Sequence, residues 1–257
     1  YGWYALLLVC VVLAAVLIGW LFFRRRAALE TVFSLAILCL GSIYLAVLAP
    51  LSAPDEVSHF ISAYRLSNTM LGQPAADEKG HVYIRTQDTF VLDTELVPGE
   101  SLAEQEETKD TQVLGQTLTE HTYRKIHDTG LWGTGEEEME TTAKPPVETT
   151  PFAYLPQALG IVLGRLLGFG GLGLLYLGRF GNLLFFTAVT WYAMKRLPFG
   201  KEVLFGVALL PMTLHLAASF SYDVMILSLS FLLTAVTLQL TYGAAMVRKR
   251  DVARWRV

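Results

Sequence analysis

The stretch TVFSLAILCLGSIYLAVLAPLSAPDEVSHF, residues 31–60, joins a long apolar run to a short acidic segment. Its apolar part runs over residues 31–49 and is followed by Pro50 and then by the two acids Asp55 and Glu56. An α-helix rises 1.5 Å per residue, so about 20 apolar residues cross the hydrocarbon core of a bilayer. The stretch therefore predicts a transmembrane helix that leaves the membrane at an acidic exit.

The composition of the whole chain also indicates a membrane protein. The 257 residues are 53% hydrophobic, with a mean hydropathy of +0.43, which is too apolar for an ordinary soluble domain of this length. Residues 72–150 contain 17 acids and 6 bases, a net charge of −11, so the rest of the chain carries +8 of the total of −3. An acidic insert in a basic, apolar chain indicates one large water-facing loop. The basic residues follow apolar runs, which is typical of membrane topology and not of a nucleic-acid interface.

We predict an all-α integral membrane fold, a polytopic helical bundle with a large external loop and interfacial helices. Its five predicted membrane helices are Tyr1–Phe23, Thr31–Ala49, Leu174–Met194, Val203–Ala218 and Val224–Tyr242. A sixth apolar run, 152–167, has only about 16 residues and contains Arg165, so we expect it to lie in the interface or to re-enter the membrane from outside.

Basic clusters set the expected topology, because positive residues stay on the cytoplasmic side. Clusters at 24–26, 195–201 and 248–250 go inside, which places residues 51–150 outside. The predicted division is 1–26, an additional N-terminal transmembrane helix; 27–50, a transmembrane helix; 51–150, the external acidic loop; 151–173, the interfacial or re-entrant helix; 174–247, three transmembrane helices; and 248–257, a cytoplasmic basic tail. The N-terminus then falls outside, so we expect a further helix or an exported segment upstream.

The acidic loop is polar and rich in Thr, Glu and Gly. HVYIRT, residues 81–86, and TFVLDT, residues 89–94, have the composition of short strands, whereas GEEEMETTAKPPVETT, residues 135–150, is typical of loop or disorder. Because anionic lipid repels negative charge, we expect this loop to stand off the membrane.

Asp55, Glu56 and His59 are the first candidates for chemistry. On a helix, His59 shares a face with Asp55 four residues earlier, so the carboxylate can orient the imidazole or share a metal ion with it. The alternative is structural, since an acid just after Pro54 is well placed to cap a helix N-terminus. The pattern by itself leaves both open.

Three further polar residues are expected at the same external membrane face. Arg179 and Asn182 lie in the first turns of the helix that starts near Leu174, and Asp223 ends the stretch SFSYD at the outer end of another helix. An arginine in a membrane helix lines a cavity or pairs with an acid or phosphate, or its head group reaches the interface. We predict that all three bind substrate.

Several stretches together resemble a bacterial membrane protein family, the domain of unknown function 2142 family. They are PDEVSHFISAYRLSN at 54–68, TPFAYLPQALGIVLGRLLG at 150–168, YLGRFGNLL at 176–184 and LPFGKEVLFGVALLPMTLHLAASFSYD at 197–223. The resemblance covers residues 31–245 apart from the acidic loop. The family is similar to the GT-C class of membrane glycosyltransferases, which have an acidic pair and two interfacial helices in the first external loop and use a polyprenyl-phosphate sugar donor. That class usually has more helices, so we expect this chain to be part of a longer protein.

The resemblance implies a role for each of the three candidate residues in the stretch PDEVSH, which we call the exit motif. Asp55 would be the catalytic base, Glu56 its partner or a metal ligand, and His59 a supporting residue. Two further roles come from the predicted topology and not from the resemblance itself. Arg179 would hold the lipid phosphate, and Asp223 would bind the acceptor or a divalent cation, for which Asp55 and Glu56 are the other candidate ligands.

The function expected from these features is sugar transfer from a polyprenyl-phosphate donor to a glycan, lipid or protein acceptor at the external face of the bacterial plasma membrane. Two alternatives stay open. A transporter or flippase of envelope lipid or polysaccharide would use the same arginine and acids as a substrate path. A scaffold without enzymatic activity would bind a partner through its acidic loop.

Overall fold

A computed structural model describes residues 2–24, 28–49, 51, 53–92, 130–135, 138–142 and 146–254. The chain divides into two compact units. The helical unit comprises Tyr1–Ile43, Leu184–Leu214 and Asp223–Val257, and the loop unit comprises Tyr44–Leu183 and His215–Tyr222. All of the predicted site residues except Asp223 belong to the loop unit.

The described residues are mostly helical, which confirms the predicted all-α class. The α-helices are α1 Gly2–Phe23, α2 Leu29–Val47, α3 Glu56–Met70, α4 Leu155–Leu166, α5 Gly171–Arg196, α6 Lys201–Ala208, α7 Pro211–Ala217 and α8 Asp223–Arg254. Two 3-10 helices cover Thr86–Leu92 and Pro151–Tyr154, and the strands are β1 Tyr83–Arg85 and β2 Met139–Thr141. The strands form a single antiparallel pair with Ile84 opposite Glu140.

Three helices within the described ranges are long and apolar enough to cross a membrane. They are α2, α5 and the part of α8 over Asp223–Gly243, and they coincide with the predictions made from the runs at 31–49, 174–194 and 224–242. The first predicted run also forms a helix, α1, and its place in the membrane stays a prediction. α8 continues to Arg254, so helix extends into the predicted basic tail at 248–257.

The prediction of one continuous helix over Val203–Ala218 is wrong. α6 ends at Ala208 and α7 begins at Pro211, and the two helices contain only 8 and 7 residues. Proline has no backbone N–H and disfavours the helical conformation of the residue before it, here Leu210. Each piece covers only about 12 Å at the rise of an α-helix, too little to cross a bilayer alone.

The core of the loop unit lies where α3, β1, α4 and α5 meet. Its fully buried side chains include Phe60, Tyr64, Ile84, Ile161 and Leu175, and Phe220 from the segment before α8 completes it. α3 buries nearly every residue of its first half. It is therefore the central helix of this unit.

α4 and the first half of α5 pack closely because glycines face the neighbouring backbone. A Cβ atom added at Gly160 would lie 2.3 Å from the carbonyl oxygen of Leu177, and one added at Gly181 would lie 2.4 Å from that of Pro156. Small residues allow helices of membrane proteins to approach in this way. The contact brings the start of α4 beside the middle of α5.

α4 falls within the apolar run 152–167, for which an interfacial or re-entrant helix was predicted. Its end is a Schellman motif: Gly168 adopts a φ of 80°, its N–H donates to the carbonyl of Arg165, and the N–H of Phe169 donates to that of Gly164. The position of α4 relative to the bilayer stays a prediction.

The acidic loop is partly folded. The predicted strand over residues 81–86 is confirmed by β1, but residues 86–92 form a 3-10 helix, so the strand predicted at TFVLDT is wrong for residues 89–92. β2 lies in the stretch that was predicted to be loop or disorder. The presence of β2 has a clear cause: β1 and β2 are joined by backbone hydrogen bonds across more than fifty residues of chain, and local composition does not encode such a pairing.

Candidate functional site

Asp55 is an exposed residue of the candidate site and directly precedes α3. Its side chain is exposed and its backbone is left-handed, with a φ of 55° and a ψ of 14°. It occupies the N-cap position without a side-chain capping hydrogen bond. A negative charge is favourable at a helix N-terminus in any case, so the structural alternative stays open beside the catalytic one. A left-handed residue other than glycine is uncommon and frequently marks a functional site.

Glu56, the next residue, is buried and forms an ion pair with Arg179. The Nε and Nη2 atoms of Arg179 donate to the two carboxylate oxygens of Glu56 over 2.8 and 2.6 Å. Neither side chain has any exposed surface. A two-point arginine–carboxylate contact is both strong and orientationally specific.

The Glu56–Arg179 pair also satisfies backbone groups from three other segments. Arg179 donates to the carbonyls of Leu48 and Ala49, which follow α2. Glu56 accepts the N–H of Ala53 at 3.2 Å and the N–H of Phe220 at 3.0 Å. Those carbonyls would otherwise lack partners at the helix end. The pair therefore holds both ends of the segment that presents Asp55.

His59 lies one turn into α3 and faces two tyrosines. Its Nδ1 atom is 2.7 Å from the hydroxyl of Tyr154, which precedes α4, and its ring meets that of Tyr222 edge-on at 5.3 Å. His59 and Tyr154 are buried, whereas Tyr222 is partly exposed. The imidazole is thus held in a fixed orientation within the loop unit.

Asn182 and Gln157 hold the segment that precedes α8. Asn182 donates to the carbonyls of Ser219 and Ser221 at 2.8 and 3.1 Å, and Gln157 donates to those of Phe220 and Ser221. The oxygens Asn182 Oδ1 and Gln157 Oε1 are buried without a protein hydrogen-bond partner in the described part of the chain. Such acceptors are able to take donors from water or a ligand.

Asp223 is exposed at the first position of α8. It belongs to the helical unit, whereas Asp55, Glu56, His59, Arg179 and Asn182 belong to the loop unit. The loop unit therefore unites five of the six predicted residues, and the participation of Asp223 stays a prediction.

Comparison with known proteins was informative at the level of the family. The sequence profile described as Predicted membrane protein (DUF2142) matches residues 38–255. The chain belongs to this family. It is accordingly a membrane protein that contacts a lipid bilayer, with α2, α5 and α8 as candidate spans. No curated protein and no solved structure gave a significant match.

A metal site in this DUF2142 protein stays a prediction. Within the described ranges, no group of three or more His, Cys, Asp or Glu side chains is placed to hold a metal ion. Glu56, one of the predicted ligands, already accepts four hydrogen bonds. A cation at Glu56 would have to displace Arg179.

Sequence reasoning missed Tyr154, Gln157 and Tyr222 as members of the site. All three lie in the stretches that resemble the family, TPFAYLPQALG and SFSYD. Gln157 carried a usable signal, since an amide in an otherwise apolar helix needs a hydrogen-bond partner. The two tyrosines carried none, because aromatic residues are common in any core.

Proposed function

We propose that this protein transfers a sugar from a polyprenyl-phosphate donor to an envelope acceptor at the extracytoplasmic face of a bacterial membrane. One observation carries the proposal: an exposed, left-handed Asp55 directly precedes a buried ion pair whose hydrogen bonds hold the segment that leads to it. Catalytic groups are most effective when the surrounding structure fixes their geometry in advance. Family membership supports the membrane setting.

In the proposed reaction, the Asp55 carboxylate accepts the proton of an acceptor hydroxyl. The hydroxyl oxygen then bonds to the anomeric carbon of the sugar, while the bond between that carbon and the donor phosphate oxygen breaks. The lipid phosphate leaves with the bonding electron pair. General-base assistance of this kind contributes about 10²–10⁴-fold to a rate.

The other site residues support this reaction in different ways. We assign Glu56 and Arg179 to positioning, because a phosphate or a cation could bind either of them only by opening their pair. His59, fixed by Tyr154, orients the acceptor or Asp55. Asn182 and Asp223 are proposed to bind substrate, Asn182 through its unpaired oxygen.

A transport function is the second candidate, favoured by polar groups inside a candidate span. Thr187 and Thr190 are buried in α5, and Thr190 Oγ1 has no hydrogen-bond partner among the described residues. Buried polar groups within membrane helices are often functional. The protein in liposomes can be tested for both sugar transfer and lipid transport.

The experiment is donor turnover by the protein in liposomes with a panel of polyprenyl-phosphate sugars. Asp55→Asn is the informative variant, since asparagine accepts the left-handed conformation but cannot act as the base. Glu140→Gln, an exposed acid on β2, is the matched control. We expect turnover by the wild type and the control but not by Asp55→Asn.

Full turnover by Asp55→Asn would reject its role as the base. Lipid scrambling without turnover of any donor would replace the proposal by the transport function. A protein that does neither, but loses its cellular function when residues 75–145 are deleted, would be the scaffold.

A further inference from the structure

The segment that leads into and through α4 exposes an entirely apolar surface. All six exposed residues between 151 and 167 are apolar, namely Pro151, Phe152, Leu159, Leu163, Leu166 and Leu167. Phe152 and Leu166 are the most exposed, at 75% and 71%. We call Phe152 and the four leucines the leucine face. A contiguous apolar surface of this kind marks an interaction site.

The polar groups of α4 all point the other way. Its single charged residue, Arg165, donates to Asn68 and Gln73 and stacks on the ring of Tyr64. Gln157 is fully buried. α4 is therefore strongly amphipathic, with its polar groups inside the loop unit and its leucines outside, the reverse of a water-soluble surface helix.

A short arm of the acidic loop continues this apolar surface. Trp132 stacks on Phe169 with ring centroids 4.4 Å apart, while Gly133 N–H donates to the carbonyl of Gly168 and Gly170 N–H to that of Leu131. Trp132 is 69% exposed. The arm is thus fastened beside Leu166 and Leu167, and it carries the residue type that is enriched at membrane–water interfaces.

We propose that the leucine face, together with Leu131 and Trp132, is a lipid-contact surface. The bilayer is favoured as the partner because α4 packs directly on α5, a candidate membrane span, through Gly160 and Gly181, and Phe180, next to Gly181, is exposed. An apolar helix face next to a spanning helix meets acyl chains. The surface lies outside the proposed chemistry and does not depend on the proposed function.

This proposal changes the expectation for the acidic loop. The part that precedes β2 would rest on the bilayer at Trp132, so the loop would not stand off the membrane over its whole length. Uncharged apolar and aromatic side chains at the contact avoid the repulsion that anionic lipid exerts on the acids of the loop.

Site-directed spin labelling of the protein in lipid nanodiscs tests the surface. Cys10 and Cys39 are first replaced by alanine, and single cysteines are introduced as Leu159→Cys, Leu163→Cys and Trp132→Cys. Arg65→Cys, exposed on α3 of the same unit, is the water control, and Leu240→Cys, 80% exposed in the candidate span of α8, is the lipid control. Collision rates with oxygen, which concentrates in lipid, are compared with those of a water-soluble nickel chelate.

We expect oxygen to dominate at positions 159, 163 and 132, as at 240, and the nickel chelate to dominate at 65. Dominance of the nickel chelate at 159 and 163 would overturn the proposal, and at 132 alone it would remove the arm from the surface. Low collision rates with both reagents would also overturn it: dipolar broadening between labels would then identify a second copy as the partner, and its absence another segment of the protein. Two leucine positions are labelled so that the result does not depend on a single variant that misfolds. The circular dichroism of each variant checks its helix content.

Discussion

Two buried arginine–carboxylate pairs lie in the loop unit, and they differ in what they connect. Glu56 and Arg179 are 123 positions apart and bring together the ends of α2, α3 and α5 and the segment before α8. Arg85 and Asp88 are three positions apart and stabilise the turn after β1; the hydroxyl of Tyr64 donates to Asp88, and Arg85 also donates to the carbonyl of Phe169. Both pairs are almost completely buried. Burial therefore does not distinguish the two pairs. The separation of the two charges along the chain does, because only the Glu56–Arg179 ion pair itself joins distant segments.

The largest effect is expected for Arg179→Met. This change leaves the Glu56 carboxylate buried without a counter-ion. It also removes the hydrogen bonds that Arg179 donates to the carbonyls of Leu48 and Ala49, so the free energy of unfolding should fall by about 3–5 kcal/mol. Denaturant titration in detergent micelles measures it. The double variant Glu56→Gln/Arg179→Met, which carries no buried charge at this pair, should lose less. An equal loss in both variants would show that the charges are not the reason.

The local pair should be weaker and depend on pH. Burial raises the pKa of the Asp88 carboxyl despite the opposing effect of Arg85, and Arg85→Met should raise that pKa further. A group whose pKa is higher in the folded state contributes stability that is present below its unfolded pKa and lost as pH rises through the folded value.

The loss caused by Arg85→Met should therefore be small near pH 4 and grow to about 1–3 kcal/mol at neutral pH. Unfolding titrations across this pH range measure it, with Asp88→Asn/Arg85→Met as the control that lacks the ionisable group. A loss that does not change with pH would contradict the assignment.

Helix packing offers a further comparison of the two pairs. Gly160→Ala places a methyl group 2.3 Å from the backbone oxygen of Leu177, which should force α4 and α5 apart and cost about 1–3 kcal/mol. Gly206→Ala, with nothing within 4 Å of the new atom, is the matched control and should be neutral or slightly stabilising.

Because Arg179 lies on α5, the effect of Gly160→Ala should be strongly non-additive with that of Arg179→Met. Coupling to Arg85→Met should be weaker, since Arg85 meets this region at the carbonyl of Phe169, outside both helices. Double-mutant cycles of unfolding free energy test this. Coupling to Arg85 as strong as coupling to Arg179 would mean that the loop unit responds as a whole.

The smallest effect is expected for Tyr64→Phe. The Tyr64 hydroxyl donates to Asp88 at 2.7 Å, and its removal should cost about 0.5–1.5 kcal/mol at neutral pH. Burial and the negative charge of Asp88 raise the pKa of Tyr64. The corresponding stability is present below about pH 10 and is lost as pH rises through the folded value. The wild type should therefore lose stability more steeply than Tyr64→Phe in alkaline titrations, and parallel curves would contradict this.

The sequence was most informative where a single segment carried the whole signal. α2, α5 and the candidate span of α8 follow from the length of an apolar run, since the bilayer thickness sets the length of helix that it requires. The prediction of one helix over Val203–Ala218 was wrong because Pro211 interrupts it. The proline was a local signal, but the prediction relied on the length of the apolar run. The sequence did not predict β2, because its partner strand lies far away along the chain.

The candidate site divides in the same way. The exit motif PDEVSH marked Asp55, Glu56 and His59, and the resemblance to a membrane family pointed to the stretches that contain Arg179 and Asn182. Tyr154, Gln157 and Tyr222 could not have been assigned from pattern alone, because their importance lies in the partners that they meet.

The all-α membrane class followed from the chain alone, because hydrophobic length and charge distribution are properties of the sequence. The exposure of one of the two adjacent acids and the burial of the other depend on the fold. Asp55 and Glu56 are chemically alike and consecutive, but the start of α3 turns them in different directions, and Glu56 pairs with Arg179, 123 positions away. A buried charge needs a partner, and which partner it finds depends on how distant segments pack.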